Sequence, residues 1–96
     1  MNTKIQAIHF AITEALKAFI SKKTERLARR YPDITETEVT LKVVKPETSM
    51  NKEALIMITV PAREDLVATK VADSFEEAVD LCLEALDRQL EKIKGK

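Results

Sequence analysis

The sequence predicts an α+β domain of element order β-α-β-β-β-α, with two helices packed on one face of a four-stranded sheet. Three observations carry this. Two long segments place apolar residues at helical spacing, four short runs are continuously apolar or alternate with a period of two, and stretches containing proline or serine separate most of them. With 96 residues there is material for one hydrophobic core, so residues 1–96 are expected to form a single domain. No internal repeat, low-complexity segment or linker interrupts it.

Residues 3–9 are expected to be the first strand. Thr13 is placed to cap the helix that follows, because its hydroxyl can accept from a first-turn N–H that lacks a helical partner. Leu16, Phe19, Ile20 and Leu27 form one apolar stripe. The helix ends near Arg30, since Tyr31 precedes Pro32 and residues before proline avoid helical dihedrals. Residues 38–44 alternate, with Val39, Leu41 and Val43 on one side and Thr40 and Lys42 on the other. A polar loop is expected over residues 45–51. Residues 54–60 are almost continuously apolar, as a central strand would be. A turn at 61–65 leads to a fourth strand at 66–71. Ser74 and Glu77 have the spacing of a capping box. The second helix then runs to about Lys94, with Phe75, Ala78, Val79, Cys82, Leu86, Leu90 and Ile93 facing inward.

Much chemistry is excluded. The one glycine is Gly95, whereas a phosphate-cradling loop needs several so that the backbone can approach the anion. One cysteine and one histidine do not assemble a structural zinc site. Cys82 falls at a core position and reads as a small buried hydrophobe rather than a nucleophile. His9 ends the first strand with no partner implied near it. Glu76, Glu77 and Asp80 occupy the first turns of a helix, where acids interact favourably with the helix dipole, so they do not argue for a carboxylate site. No catalytic residue, metal, cofactor or small-molecule substrate is expected, and the chain does not read as an enzyme. No apolar run is long enough to cross a membrane, and the first ten residues are too polar for a signal peptide. A cytoplasmic location is expected, and a single cysteine agrees with it.

Charge is balanced overall, 16 basic against 16 acidic residues, which by itself argues against a nucleic-acid partner. Its distribution is uneven. Residues 17–30 carry Lys17, Lys22, Lys23, Arg26, Arg29 and Arg30 against one acid, Glu25. Residues 73–87 carry Asp73, Glu76, Glu77, Asp80, Glu84 and Asp87 with no base, and the tail is basic again with Arg88, Lys92, Lys94 and Lys96. Helical spacing puts Lys22, Arg26, Arg29 and Arg30 on outer surfaces of the first helix, and Arg88 and Lys92 one turn apart on the second. With both helices on one sheet face, these clusters are candidates to adjoin and meet a phosphate backbone. From charge alone, a solvated helix surface is the ordinary reading. Phe10, Phe19, Tyr31 and Phe75 all lie outside the strands, so base stacking on the sheet is not expected, while binding through phosphates and shape remains open.

Three segments, ITEALKAFISKKTERLARRY, VTLKVVK and SFEEAVDLCLEALDRQLEKIKGK, together resemble the ribosome hibernation promoting factor family. The family is also called ribosomal subunit interface protein, ribosome-associated inhibitor or sigma-factor modulation protein. Two motifs are specific: Ile12-Thr13-Glu14-Ala15-Leu16 opening the first helix, and Leu86-x-Arg88-Gln89-Leu90-x-Lys92-x-Lys94 closing the second. The resemblance implies a translation inhibitor that binds the small ribosomal subunit in the channel for messenger and transfer RNA and keeps idle ribosomes inactive. It implies rRNA contacts by Lys23, Arg26, Lys42, Arg88 and Lys92; helical spacing puts Lys23 near the apolar stripe, so its stem is expected to be buried with the ammonium reaching out. Lys22, Arg29, Arg30, Lys94 and Lys96 are added from charge. Two departures stand out: Ala62-Arg63-Glu64 where the family's hairpin usually has glycine, and the acidic first half of the second helix. The chain looks like a short form without the C-terminal domain that pairs ribosomes, which leaves room for a separate ribosome-dimerising factor. The fold is also similar to a double-stranded RNA-binding domain with an added N-terminal strand. A non-catalytic duplex-RNA-binding or protein-interaction module is therefore the alternative.

Overall fold

The computed structural model describes residues 2–8, 10–44, 50–61 and 63–94. Six elements follow in the expected order: β1 (Asn2–Ile8), α1 (Glu14–Arg30), β2 (Glu36–Val43), β3 (Lys52–Thr59), β4 (Leu66–Ala72) and α2 (Phe75–Lys94). The strands lie side by side as β1-β2-β3-β4. β1 and β2 are parallel, and the other pairs are antiparallel. Parallel neighbours need a crossover, which α1 supplies.

Local chemistry sets the ends. Thr13 has extended dihedrals, and its hydroxyl accepts from the Leu16 N–H at 3.1 Å. At the other end the Tyr31 N–H donates to the Leu27 carbonyl at 3.0 Å. The serine half of the expected capping box forms, with Ser74 Oγ accepting from the Glu77 N–H at 3.2 Å. β2 and β3 both begin earlier than hydropathy predicts. Glu36 and Thr37 pair with Thr59 and Ile58, and Lys52 pairs with Val43, so backbone pairing extends the strands past their apolar centres. Met50 takes a positive φ of 55° where a turn usually prefers glycine, and its N–H donates to Asp73 at 2.7 Å. His9, the polar residues 45–49 and Ala62 of the hairpin lie outside the described residues.

The core lies between the helices and one sheet face. Val39, Leu41, Ala54, Ile56, Ile58, Ala68 and Ala72 supply the sheet side, all buried. Leu16, Ile20 and Leu27 of α1 and Ala78, Val79, Cys82, Leu86 and Leu90 of α2 close over them. Each large aliphatic side chain buried this way stabilises the fold by about 1.5–3 kcal/mol relative to exposure. Cys82 is wholly buried, and its Sγ lies 3.2 Å from the Ala54 carbonyl oxygen and 3.5 Å from that of Ala68. Lys42 alternates with buried Leu41, so it projects from the opposite, open sheet face.

α1 and α2 are parallel neighbours. Both begin at the end of the sheet where β1 and β4 finish, and both run back toward the opposite end. Two cross-helix ion pairs fix the register: Lys23 with Asp80 and Arg30 with Asp87, one helical heptad apart on each element.

Candidate nucleic-acid interface

The outer face of α1 is built by its own periodicity. Leu16, Ile20, Thr24 and Leu27 are buried, which turns Lys22, Arg26 and Arg29 to the far side of the helix. All three are exposed, and among the described residues none has an ion-pair partner. Spaced by four and three residues, they form one row of positive charge, with the exposed Glu25 beside it three residues from Lys22 and four from Arg29. Arg29 lies in the last turn, where a cation also interacts favourably with the helix dipole.

Lys23 and Arg30 stand on the flank facing α2 and are differently placed. Lys23 is half-buried, as its position beside the apolar stripe implied. Its ammonium lies 3.5 Å from Asp80 and 5.4 Å from the Phe19 ring centre. Arg30 donates to Asp87 at 2.7 Å, and its guanidinium is 5.5 Å from the centre of the Tyr31 ring. Asp87 also accepts from the Tyr31 hydroxyl at 2.7 Å. That hydrogen bond, followed by burial and the carboxylate's charge, raises the Tyr31 pKa above its ordinary value. Lys23, Arg26, Leu27 and Arg30 on one helix and Asp80, Leu83, Glu84 and Asp87 on the other line a shallow groove of about 430 Å³.

Arg88 and Lys92 of α2 do not adjoin this row. Each residue turns a helix by about 100°, so Arg88 points away from the flank on which Asp87 meets α1. Arg88 is 76% exposed and lies 3.9 Å from Glu84, and Lys92 is exposed one turn later. Glu84, Asp87 and Glu91 therefore stand between the α1 row and the Arg88–Lys92 pair. The expected single basic face is in fact two basic stripes with an acidic row between them. Lys42 is on the open sheet face, 3.7 Å from Glu53, and does not join either stripe. Lys94 closes α2, with its side chain outside the described residues, as is Lys96. Sequence reasoning missed the partner acids Asp80 and Asp87. Their only signal was that they share the seven-residue spacing of Lys23 and Arg30, which becomes meaningful once the helices are known to be parallel.

Among the described residues no group of three or more histidines, cysteines, aspartates and glutamates is placed to hold a metal ion. No helix among them is long and apolar enough to cross a membrane.

Residues 3–96 match the family model described as sigma 54 modulation protein / S30EA ribosomal protein. The chain belongs to this family. Among relatives, the ribosome hibernation promoting factor of Azotobacter vinelandii is 30% identical over 96 residues, all of this chain and 85% of that protein. The protein of the same name from Pseudomonas putida is 28% identical over 96 residues, all of this chain and 89% of that protein. The S30EA-type fold is shared with solved structures. A ribosomal subunit interface protein from Coxiella burnetii superposes with a TM-score of 0.87 at 23% identity, covering 100% of both chains. The N-terminal domain of Thermus thermophilus Protein Y gives 0.80 at 23% identity, covering 97% of this chain and 99% of that one.

Proposed function

We propose that this S30EA-family chain is a ribosome hibernation factor. It binds the small subunit through rRNA phosphates in the channel for messenger and transfer RNA, and so keeps idle ribosomes from initiating. The observation that carries the reading is the row Lys22, Arg26 and Arg29. These cations are exposed and, among the described residues, without an ion-pair partner, on a helix of a chain whose relatives are named ribosome hibernation promoting factors. A row of this kind suits a phosphate backbone, because the counterions it displaces are released to bulk. Arg88 and Lys92 offer a second contact across the acidic row, and Lys42 a third at the sheet. The whole domain acts as one cytoplasmic binding unit with no reaction of its own.

Sedimentation through a sucrose gradient with purified small and large subunits tests this. The protein is expected to travel with the small subunit and to leave it when messenger and initiator transfer RNA are added first. Sedimentation with neither subunit, or with the large one alone, would contradict it. Equal affinity for ribosomes and for an isolated RNA duplex would instead favour a general duplex-binding module.

A further inference from the structure

We infer that Asp80, Glu84 and Asp87 are specificity-determining residues, which hold the groove-side cations away from ordinary polyanions and reserve the protein for the folded RNA of the ribosome. This rests on the proposed ribosome binding and deepens it. Lys23 and Arg30 are each already bound to an acid, at 3.5 Å and 2.7 Å. Glu84 lines the same groove and lies 3.9 Å from Arg88. A phosphate strand laid along α1 must therefore displace two internal ion pairs to gain Lys23 and Arg30, and it then faces the released carboxylates. The net number of counterions released is smaller than the number of cations suggests.

An arbitrary single strand offers one continuous backbone, and a regular duplex offers two at the one separation that its grooves fix, so a strand that follows either basic stripe runs beside the acids. A folded RNA presents separate backbones, which can meet the α1 row and the Arg88–Lys92 pair on either side of the acidic row. The acids thus oppose the first kind of partner more than the second. Zero net charge then has a consequence for selectivity: the protein does not accumulate on bulk nucleic acid through long-range attraction.

The test compares the natural protein with Asp80→Asn/Glu84→Gln/Asp87→Asn, measuring affinity for a short RNA duplex of arbitrary sequence and for purified ribosomes at about 0.15 M salt. The Asp87→Asn change keeps an oxygen that can accept from Tyr31, and Asp80→Asn/Glu84→Gln leaves Asp87 intact should the triple variant not fold. Surface ion pairs of this kind correspond together to roughly a tenfold change in binding. Duplex affinity is expected to rise roughly tenfold, with a salt dependence steeper by about one to two ions. Ribosome affinity should rise distinctly less. Unchanged duplex affinity, or an equal gain on both partners, would overturn the inference. Weakened ribosome binding would also overturn it, by making the acids contacts to a basic ribosomal protein. Natural protein that binds no ribosomes would refute the proposed function instead, while the duplex measurement would still report on the acids.

Discussion

Cys82 and Tyr31 show how single positions were set by the sequence pattern and what that pattern left out. The helical stripe of α2 placed Cys82 inward, and it is wholly buried. Burial, ahead of smaller opposing effects from the Lys70 region, pushes its thiol from 9.0 up to about 11. A raised pKa means that the folded state keeps the proton after the unfolded chain has released it. The associated stability is whole below pH 9.0 and is lost as pH rises toward about 11. Tyr31 shifts the same way, so its contribution is lost above its ordinary value of 10.0. Urea midpoints measured from about pH 8 upward should fall first through Cys82, and Cys82→Ala should remove the fall between 9.0 and 10.0. A natural protein whose midpoint stays level across that interval would contradict the thiol's burial. Thr24 was not legible as a core residue, because a hydroxyl at helical spacing reads as polar. In the fold it donates to the Ile20 carbonyl at 2.9 Å, which satisfies the group inside the core. The role of Asp87 was likewise hidden. It lies 56 residues from Tyr31, and only packing brings the two together.

The helices and strands were legible because each carries a one-sided pattern and a distinct stop signal. Thr13 was identifiable as a cap from position and chemistry, and the hydrogen bond to Leu16 N–H follows. Thr13→Ala should therefore lower unfolding stability by about 1 kcal/mol, read by urea denaturation, whereas Thr13→Asn should be nearly neutral. Equal losses from both would mean that the cap does not form. Leu83 escaped the α2 stripe because it lies on the flank that meets α1, and a single helix pattern describes only the sheet-facing side. The same limitation hid the acidic row. Helical spacing showed which residues share a face on each helix, but not which flanks meet. The expected union of the two basic clusters failed for that reason: Arg88 is one residue past Asp87, and that residue rotates it away from α1. Asp87→Ala should cost about 1–2 kcal/mol, since it removes a hydrogen bond from the Tyr31 hydroxyl as well as an ion pair to Arg30. Asp80→Ala, which breaks the partly exposed pair with Lys23, should cost no more than about 1 kcal/mol.

Across the molecule, the element order and the helix-on-sheet layering were readable because α1 is the crossover between parallel β1 and β2. Net charge was the least informative quantity. It cancels over 16 basic and 16 acidic residues, but not along α1, whose outer row of Lys22, Arg26 and Arg29 has one acid, Glu25, beside it. Binding should therefore depend on salt despite neutrality. If about five phosphates are neutralised, the slope of log affinity against log salt should be roughly −4.5 by the duplex coefficient, and about −3.5 by that for single strands. A flat response, measured by gradient co-sedimentation at several salt concentrations, would point to recognition through ribosomal proteins or through apolar contacts.

The two basic stripes are tested together by Arg26→Glu with Arg88→Glu in a translation assay using purified ribosomes. Both residues are exposed, so stability should change by about 0.5 kcal/mol per site or less, and a melting curve checks this. The matched control is Arg63→Glu with Lys70→Glu, the same change in total charge at exposed cations outside both stripes. The prediction is that the folded Arg26/Arg88 variant no longer inhibits translation or sediments with the small subunit, while the control loses little. A folded Arg26/Arg88 variant that inhibits as fully as the natural protein, or a control that fails equally, would contradict the assignment of these stripes as the ribosome-binding face.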